Sequence, residues 1–233
     1  MQHNLDLSLV LNLSWDIFKK HWVKLTLIAF VVCFIDYLPD LLLLLNMEGG
    51  ITLQNILILS NEPIWEITTW WGFLHTLLSI LLGVFVMLYV LSITKKKSIK
   101  LDGNTLLSSF AVAVVTLIIF ICSFALCVIP FFIIYPRIMF AVYYMLDNPS
   151  IGINEAFDFS IKATKGHLGT LLLIGLVTTI IILLGTLCFG VGAIPATAFV
   201  YVAEAVVYLI LSGQIEASQE GTTSREESFI VEK

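Results

Sequence analysis

The sequence predicts an all-α, polytopic transmembrane helix bundle: six spans in three antiparallel hairpins, with amphipathic interfacial helices. Three observations predict it. The 233-residue chain is 59% hydrophobic and only 12% charged, about half the charged share of a soluble domain. Several of its apolar runs are long enough to cross about 30 Å of hydrocarbon. Its Lys and Arg fall in alternate gaps between those runs, with Arg137 the exception. A mean hydropathy of +1.00 leaves more apolar side chain than a core of this size can shield, so lipid covers the rest. The period-two alternation of a membrane β-barrel is absent.

A span needs about 20 mostly apolar residues. Residues 22–45 supply the first and 73–94 the second. The run 106–146 is about twice that length and folds back at Pro130, because proline removes a backbone donor and clashes with the preceding turn. It yields a third span, 106–129, and a shorter fourth, 131–146. The run 168–212 is also double. Gly190, Gly192 and Pro195 interrupt it, which ends one helix and begins another. The fifth span is 168–188 and the sixth 196–212. Residues 1–212 form one membrane domain. Residues 213–233 are rich in Ser, Thr, Glu and Gln and read as a disordered cytoplasmic tail.

Charge sets the orientation. Lys19 and Lys20 precede the first span and Lys24 lies in its first turn. Lys95, Lys96, Lys97 and Lys100 separate the second from the third, and Lys162 and Lys165 the fourth from the fifth. Arg225 and Lys233 follow the sixth. The other gaps hold Glu48, Glu62 and Glu66 but no cation. The positive-inside rule places the lysine-bearing gaps in the cytoplasm. Both termini are then cytoplasmic in a multi-pass cell-membrane protein. The first run is too long for a signal-peptide core and stays as an anchor. The largest outer loop, residues 46–71, carries the short apolar piece Ile56–Leu59 and the interface-seeking Trp65, Trp70 and Trp71.

Two cytoplasmic segments resemble each other. Leu7, Val10, Leu11, Ser14 and Phe18 recur at helical spacing before the first span. Ile153, Ala156, Phe157, Ser160 and Thr164 do so before the fifth. Ser14 aligns with Ser160, Lys19 with Lys165, His21 with His167, and Leu25 with Leu171. Each segment reads as an amphipathic helix lying along the membrane and leading into a span. An internal repeat and a chance likeness of two short, biased segments both account for the match.

Charges in hydrocarbon are costly, so each needs a reason. Arg137 lies about 10 Å below the outer end of the fourth span, at 1.5 Å per residue. Asp36 lies about 21 Å above the inner end of the first, which makes an Asp36–Arg137 pair geometrically feasible. Glu204, about 12 Å into the sixth span, is a second candidate partner. Pro136 should kink the fourth span and free a carbonyl beside Arg137. An internal clamp and a polar path both explain Arg137, Asp36 and Glu204. The lack of a repeated polar stripe favours the clamp.

No catalytic, cofactor or metal motif is present. Phosphate-binding loops, H-E-x-x-H pairs and G-x-S-x-G elbows are missing. Cys33, Cys122, Cys127 and Cys188 form no C-x-x-C pair and read as small buried apolar residues. The net charge of −5 argues against nucleic acid as a partner.

The second half resembles a family of bacterial polytopic membrane proteins of unknown function, which includes the membrane domain attached to some glycerophosphodiester phosphodiesterases. The resemblance begins at Ile129 and Pro130 and passes through Pro136, Arg137, Asp147, Glu155, Ala156, Ser160, Lys165, Gly166, Gly192 and Pro195 to about Tyr208. It implies a six-helix bacterial inner-membrane domain and no activity. The expected function is a non-enzymatic integral membrane protein that binds lipid or a partner, or supports membrane homeostasis. The alternative is a small-solute or ion transporter or channel using Arg137, Asp36 and Glu204.

Overall fold

The computed structural model describes residues 5–46, 70–95, 103–126, 128–149, 151–187 and 191–215. Among them the chain forms helices and no strand. In order these are α1 Leu7–Asn46, α2 Trp70–Lys95, α3 Gly103–Leu126, α4 Val128–Ile138, α5 Ala141–Asp147, α6 Ile153–Ala163, α7 Leu168–Leu187 and α8 Ala193–Leu211. The outer loop except Asn46, Trp70 and Trp71, and the tail beyond Ile215, lie outside the described residues.

Among the described residues, five helices contain stretches long and apolar enough to cross a membrane: Leu7–Leu38, His75–Lys95, Gly103–Cys122, Leu168–Leu187 and Ala193–Leu211. The fourth span expected at 131–146 is not one helix. It is divided into α4, of 11 residues, and α5, of 7, with a turn at Met139–Phe140. Neither piece alone approaches the ~20 residues a crossing needs. The kink expected at Pro136 is therefore a full break just downstream.

Two prolines act as starters rather than hinges. Pro130 is the third residue of α4 and Pro195 the third of α8. First-turn N–H groups have no partner within the helix, so proline there forfeits nothing and its fixed φ is already helical. The helix boundaries accordingly fall before each proline.

The aligned segments share burial but differ in backbone. Val10 and Ala156, Ser14 and Ser160, and Leu25 and Leu171 are buried pairwise. Yet α1 runs unbroken for 40 residues, whereas α6 and α7 are separate. Gly166 has φ 92° between them. Its aligned counterpart is Lys20, whose Cβ disfavours that left-handed conformation. The expected first interfacial helix is thus the opening of a long α1. α6 is separate but turns Ala156, Ser160 and Thr164 inward and packs on α4 and α5.

At the start of α1, Asp6 accepts from Ser8 Oγ at 2.6 Å and from Ser8 N at 3.4 Å. These bonds, the hydroxyl first, hold the carboxyl below its ordinary range. The cap exists above that lowered value and is lost as pH falls through it.

α8 is the centre of the bundle. Eleven of its nineteen residues are buried, against three of twenty in α7. It packs on α1, α2, α5 and α7, most extensively on α1. Ala196, Ala198, Ala203 and Ala205 are among the buried residues, and small side chains let membrane helices approach closely. Trp22, Leu27 and Phe34 on α1 and Leu176, Leu183 and Leu184 on α7 are exposed, as faces in contact with lipid should be. Cys33 is half-buried and Cys122 exposed, so the expectation of buried thiols is met only in part by Cys33 and fails for Cys122. Cys127 and Cys188 lie outside the described residues.

Gly185 lets α7 pass close to the start of α8. A Cβ there would stand 2.5 Å from the carbonyl oxygen of Gly192 and 3.0 Å from Ala196 Cβ. At Gly175 the same atom would meet nothing within 4 Å. Gly185→Ala is expected to cost about 1–3 kcal/mol through overpacking, and Gly175→Ala to be neutral or slightly stabilising. Thermal unfolding in detergent measures both.

Candidate functional site

The three polar residues expected within the membrane come from α1 (Asp36), α4 (Arg137) and α8 (Glu204), and the structure separates them into two groups. Asp36 Oδ1 accepts from Ser79 Oγ on α2 at 2.6 Å. Glu204 Oε2 accepts from Tyr143 OH on α5 at 3.2 Å. Tyr135, Tyr143 and Tyr201 all lie within electrostatic reach of Glu204, and Tyr201 also within reach of Asp36. The two carboxylates thus have one phenolic neighbour in common, Tyr201.

Arg137 stands apart. Among the described residues the ion pairs are Lys95–Asp147 and Lys162–Asp158. Arg137 pairs with neither Asp36 nor Glu204. Its Nε is buried without a hydrogen-bond partner. Its main-chain oxygen accepts from Ser160 Oγ on α6 at 2.6 Å. The expected Asp36–Arg137 pair fails for a geometric reason. Equal depth for Asp36 and Arg137 requires 131–146 to be one straight helix. The break after Ile138 and the packing of α6 set the Arg137 backbone against the segment predicted at the inner face.

The best-connected polar site was not predicted. Asp147, the last residue of α5, forms an ion pair through Oδ1 with Lys95 at the end of α2. Its Oδ2 accepts from Tyr208 OH at 2.8 Å and from Gln214 Nε2 at 2.7 Å. The Asp147 side chain is only 5% exposed. In the sequence, Lys95 serves only to set orientation, and Asp147 stands only among the residues that carry the family resemblance. The missed signal was that both end apolar runs on the same predicted side.

Aromatic rings join the two carboxylate sites. Tyr143, which donates to Glu204, stacks on Tyr208, which donates to Asp147, with centroids 5.8 Å apart. Phe159 on α6 stacks on Tyr144 at 3.8 Å and meets Tyr208 edge-on at 6.2 Å. α5, α6 and α8 therefore form one hydrogen-bonded and aromatic block. No group of three or more His, Cys, Asp or Glu suited to a metal occurs among the described residues.

Two grooves accompany this interior, and both are lined by apolar residues. One, of about 500 Å³, lies between α2 and α3, with Leu77, Leu81, Leu106 and Phe110 in its walls. The other, of about 310 Å³, lies among α1, α7 and α8. No family model, curated protein or solved structure matches this chain.

Asp147→Leu is expected to lower stability by about 2 kcal/mol, allowing for the partly exposed Lys95 it strands. Adding Lys95→Met should recover part of that loss. Tyr208→Phe should cost about 1–2 kcal/mol. Arg137→Leu and Asp36→Leu, which share no contact, are expected to add to within about 0.5 kcal/mol. Melting of each single and double variant in one detergent tests all three.

Proposed function

We propose that the protein is a six-crossing integral membrane protein of the bacterial inner membrane, with both termini cytoplasmic, that acts by binding lipid within the bilayer. The observation that carries this reading is a division of labour. Asp36, Glu204 and Asp147 are each taken up by donors inside the bundle, while the grooves present apolar walls. A water-filled path would need a polar lining. An apolar groove on membrane-spanning helices is met first by acyl chains.

The sixth crossing is the α4–α5 pair. Val128 to Asp147 spans 20 residues, enough for hydrocarbon when combined. Broken helices are tolerated at membrane depth where protein satisfies the freed backbone, and Ser160 does so at the Arg137 carbonyl. The likeness of residues 129–208 to the six-helix bacterial family belongs to the same reading.

A phospholipid with a photoactivatable acyl chain tests it. Cross-links in reconstituted protein should concentrate on residues 77–81 and 103–110. Labelling spread evenly over the exposed faces of α1 and α7 would reject lipid binding at the groove.

Solute or ion transport is the second reading, favoured by the unpartnered Nε of Arg137 and by Tyr201 lying within reach of both Asp36 and Glu204. It requires flux into proteoliposomes that Glu204→Gln reduces. Flux equal to that of protein-free liposomes rejects it.

A further inference from the structure

We infer that Arg137 holds the phosphate of an anionic phospholipid of the inner leaflet, whose acyl chain rises along the exposed face of α4 at Ile133. This rests on the lipid-binding reading above and gives it a second site with a stated headgroup chemistry. Arginine stays protonated in any protein environment, so its charge calls for an anion. The described residues supply none. Their ion pairs are Lys95–Asp147 and Lys162–Asp158. Asp36 and Glu204 accept from Ser79 and Tyr143, and Glu155 lies in the exposed first turn of α6. Arg137 is half-buried, and its Nε is enclosed without a partner. A guanidinium held this way is fixed in place with a donor still to be met. Its planar fork fits phosphate oxygens two at a time.

The surroundings place that phosphate. Ser160 Oγ on α6 donates to the Arg137 main-chain oxygen at 2.6 Å. Asp158 and Lys162 flank Ser160 on α6, and their side chains are 63% and 75% exposed. Charges so exposed lie among water or headgroups rather than hydrocarbon. Headgroups of the lysine-bearing side therefore reach the level of Arg137. A bilayer thinned here suits the divided crossing, since α4 and α5 with a turn between them span less end to end than one straight helix. Above Arg137 the chemistry changes. Ile133 precedes it by one turn on the same face of α4, about 6 Å nearer the outer side, and is 46% exposed. α7, which packs on α4, also exposes Leu172, Leu173 and Leu176. A cation below and lipid-facing aliphatic side chains above match the order of phosphate and acyl chain in an inner-leaflet lipid. A zwitterionic headgroup gains less, because its own cation opposes Arg137.

The test uses the full chain in nanodiscs of phosphatidylcholine mixed with phosphatidylglycerol, with native mass spectrometry reading which lipid stays bound. Wild type should retain phosphatidylglycerol over phosphatidylcholine. Arg137→Gln should cut that preference about tenfold, the loss of one charged hydrogen-bond contact. Ile133→Glu sets a carboxylate one turn from Arg137 and should cut the preference as far by taking the phosphate's place. It also keeps Arg137, should Arg137→Gln not fold. Lys162→Gln, on the exposed face of α6, should leave the preference unchanged. Equal retention of the two lipids by wild type, or an unchanged preference in either α4 variant, overturns the site. An equal drop in Lys162→Gln also overturns it, since general surface charge would then account for the preference. Inorganic phosphate separates the sources. If it raises the melting temperature of wild type in detergent but not of Arg137→Gln, and no lipid preference exists, the occupant is a free anion and the lipid assignment falls. Acyl-chain cross-linking at residues 77–81 and 103–110 is measured in parallel. Its persistence without a phosphatidylglycerol preference sinks the Arg137 site alone. Its loss beside an Arg137-dependent preference sinks the groove alone.

Discussion

A carboxylate that leaves water must find its hydrogen bonds inside the protein, and Asp147 shows what that demand does to this fold. Its two oxygens draw in Lys95 from the end of α2, Tyr208 from α8, and Gln214 from just beyond α8. Three chain segments far apart in sequence, those of Lys95, of Asp147 itself and of Tyr208 with Gln214, meet at one nearly buried group. α8 can then sit at the centre of the bundle, because its C-terminal end is fixed to two neighbours. Without that tie, the apolar packing of α8 would be non-directional and its rotation poorly determined.

The same demand explains the break between α4 and α5. A helix interrupted in hydrocarbon leaves carbonyls without partners, at a cost of several kcal/mol each if left so. Ser160 meets the Arg137 carbonyl, and the stacking of Phe159 on Tyr144 holds α6 in position to do so. α6 is therefore more than a float on the membrane surface. Its inward stripe of Ala156, Ser160 and Thr164 is what makes the divided segment tenable. Gly166 allows it, since its positive φ turns the chain from α6 into α7.

Function follows from which polar groups are spent and which remain. Asp36, Glu204 and Asp147 have donors within the bundle, whereas Arg137 Nε has none. The grooves offer apolar walls.

Composition and charge pattern alone determined the helical class, the long apolar helices and most of their positions. They do so because hydrocarbon imposes length and apolarity on each crossing, and both are local properties of the chain. The exposed apolar faces of α1 and α7 follow from the same fact. What only tertiary structure decided was partnership. Lys95 and Asp147 are 52 positions apart, and Tyr143 and Glu204 are 61 apart. Nothing local distinguishes Asp147 from a solvated helix end, or assigns Arg137 a place beside Ser160. The break after Ile138 was equally hidden: proline marks a weakness, but the neighbour that can satisfy the freed carbonyl settles where the helix parts. Depth along an assumed straight helix is a one-dimensional quantity, and pairing is a three-dimensional one, so Asp36 and Arg137 matched in the first and not in the second.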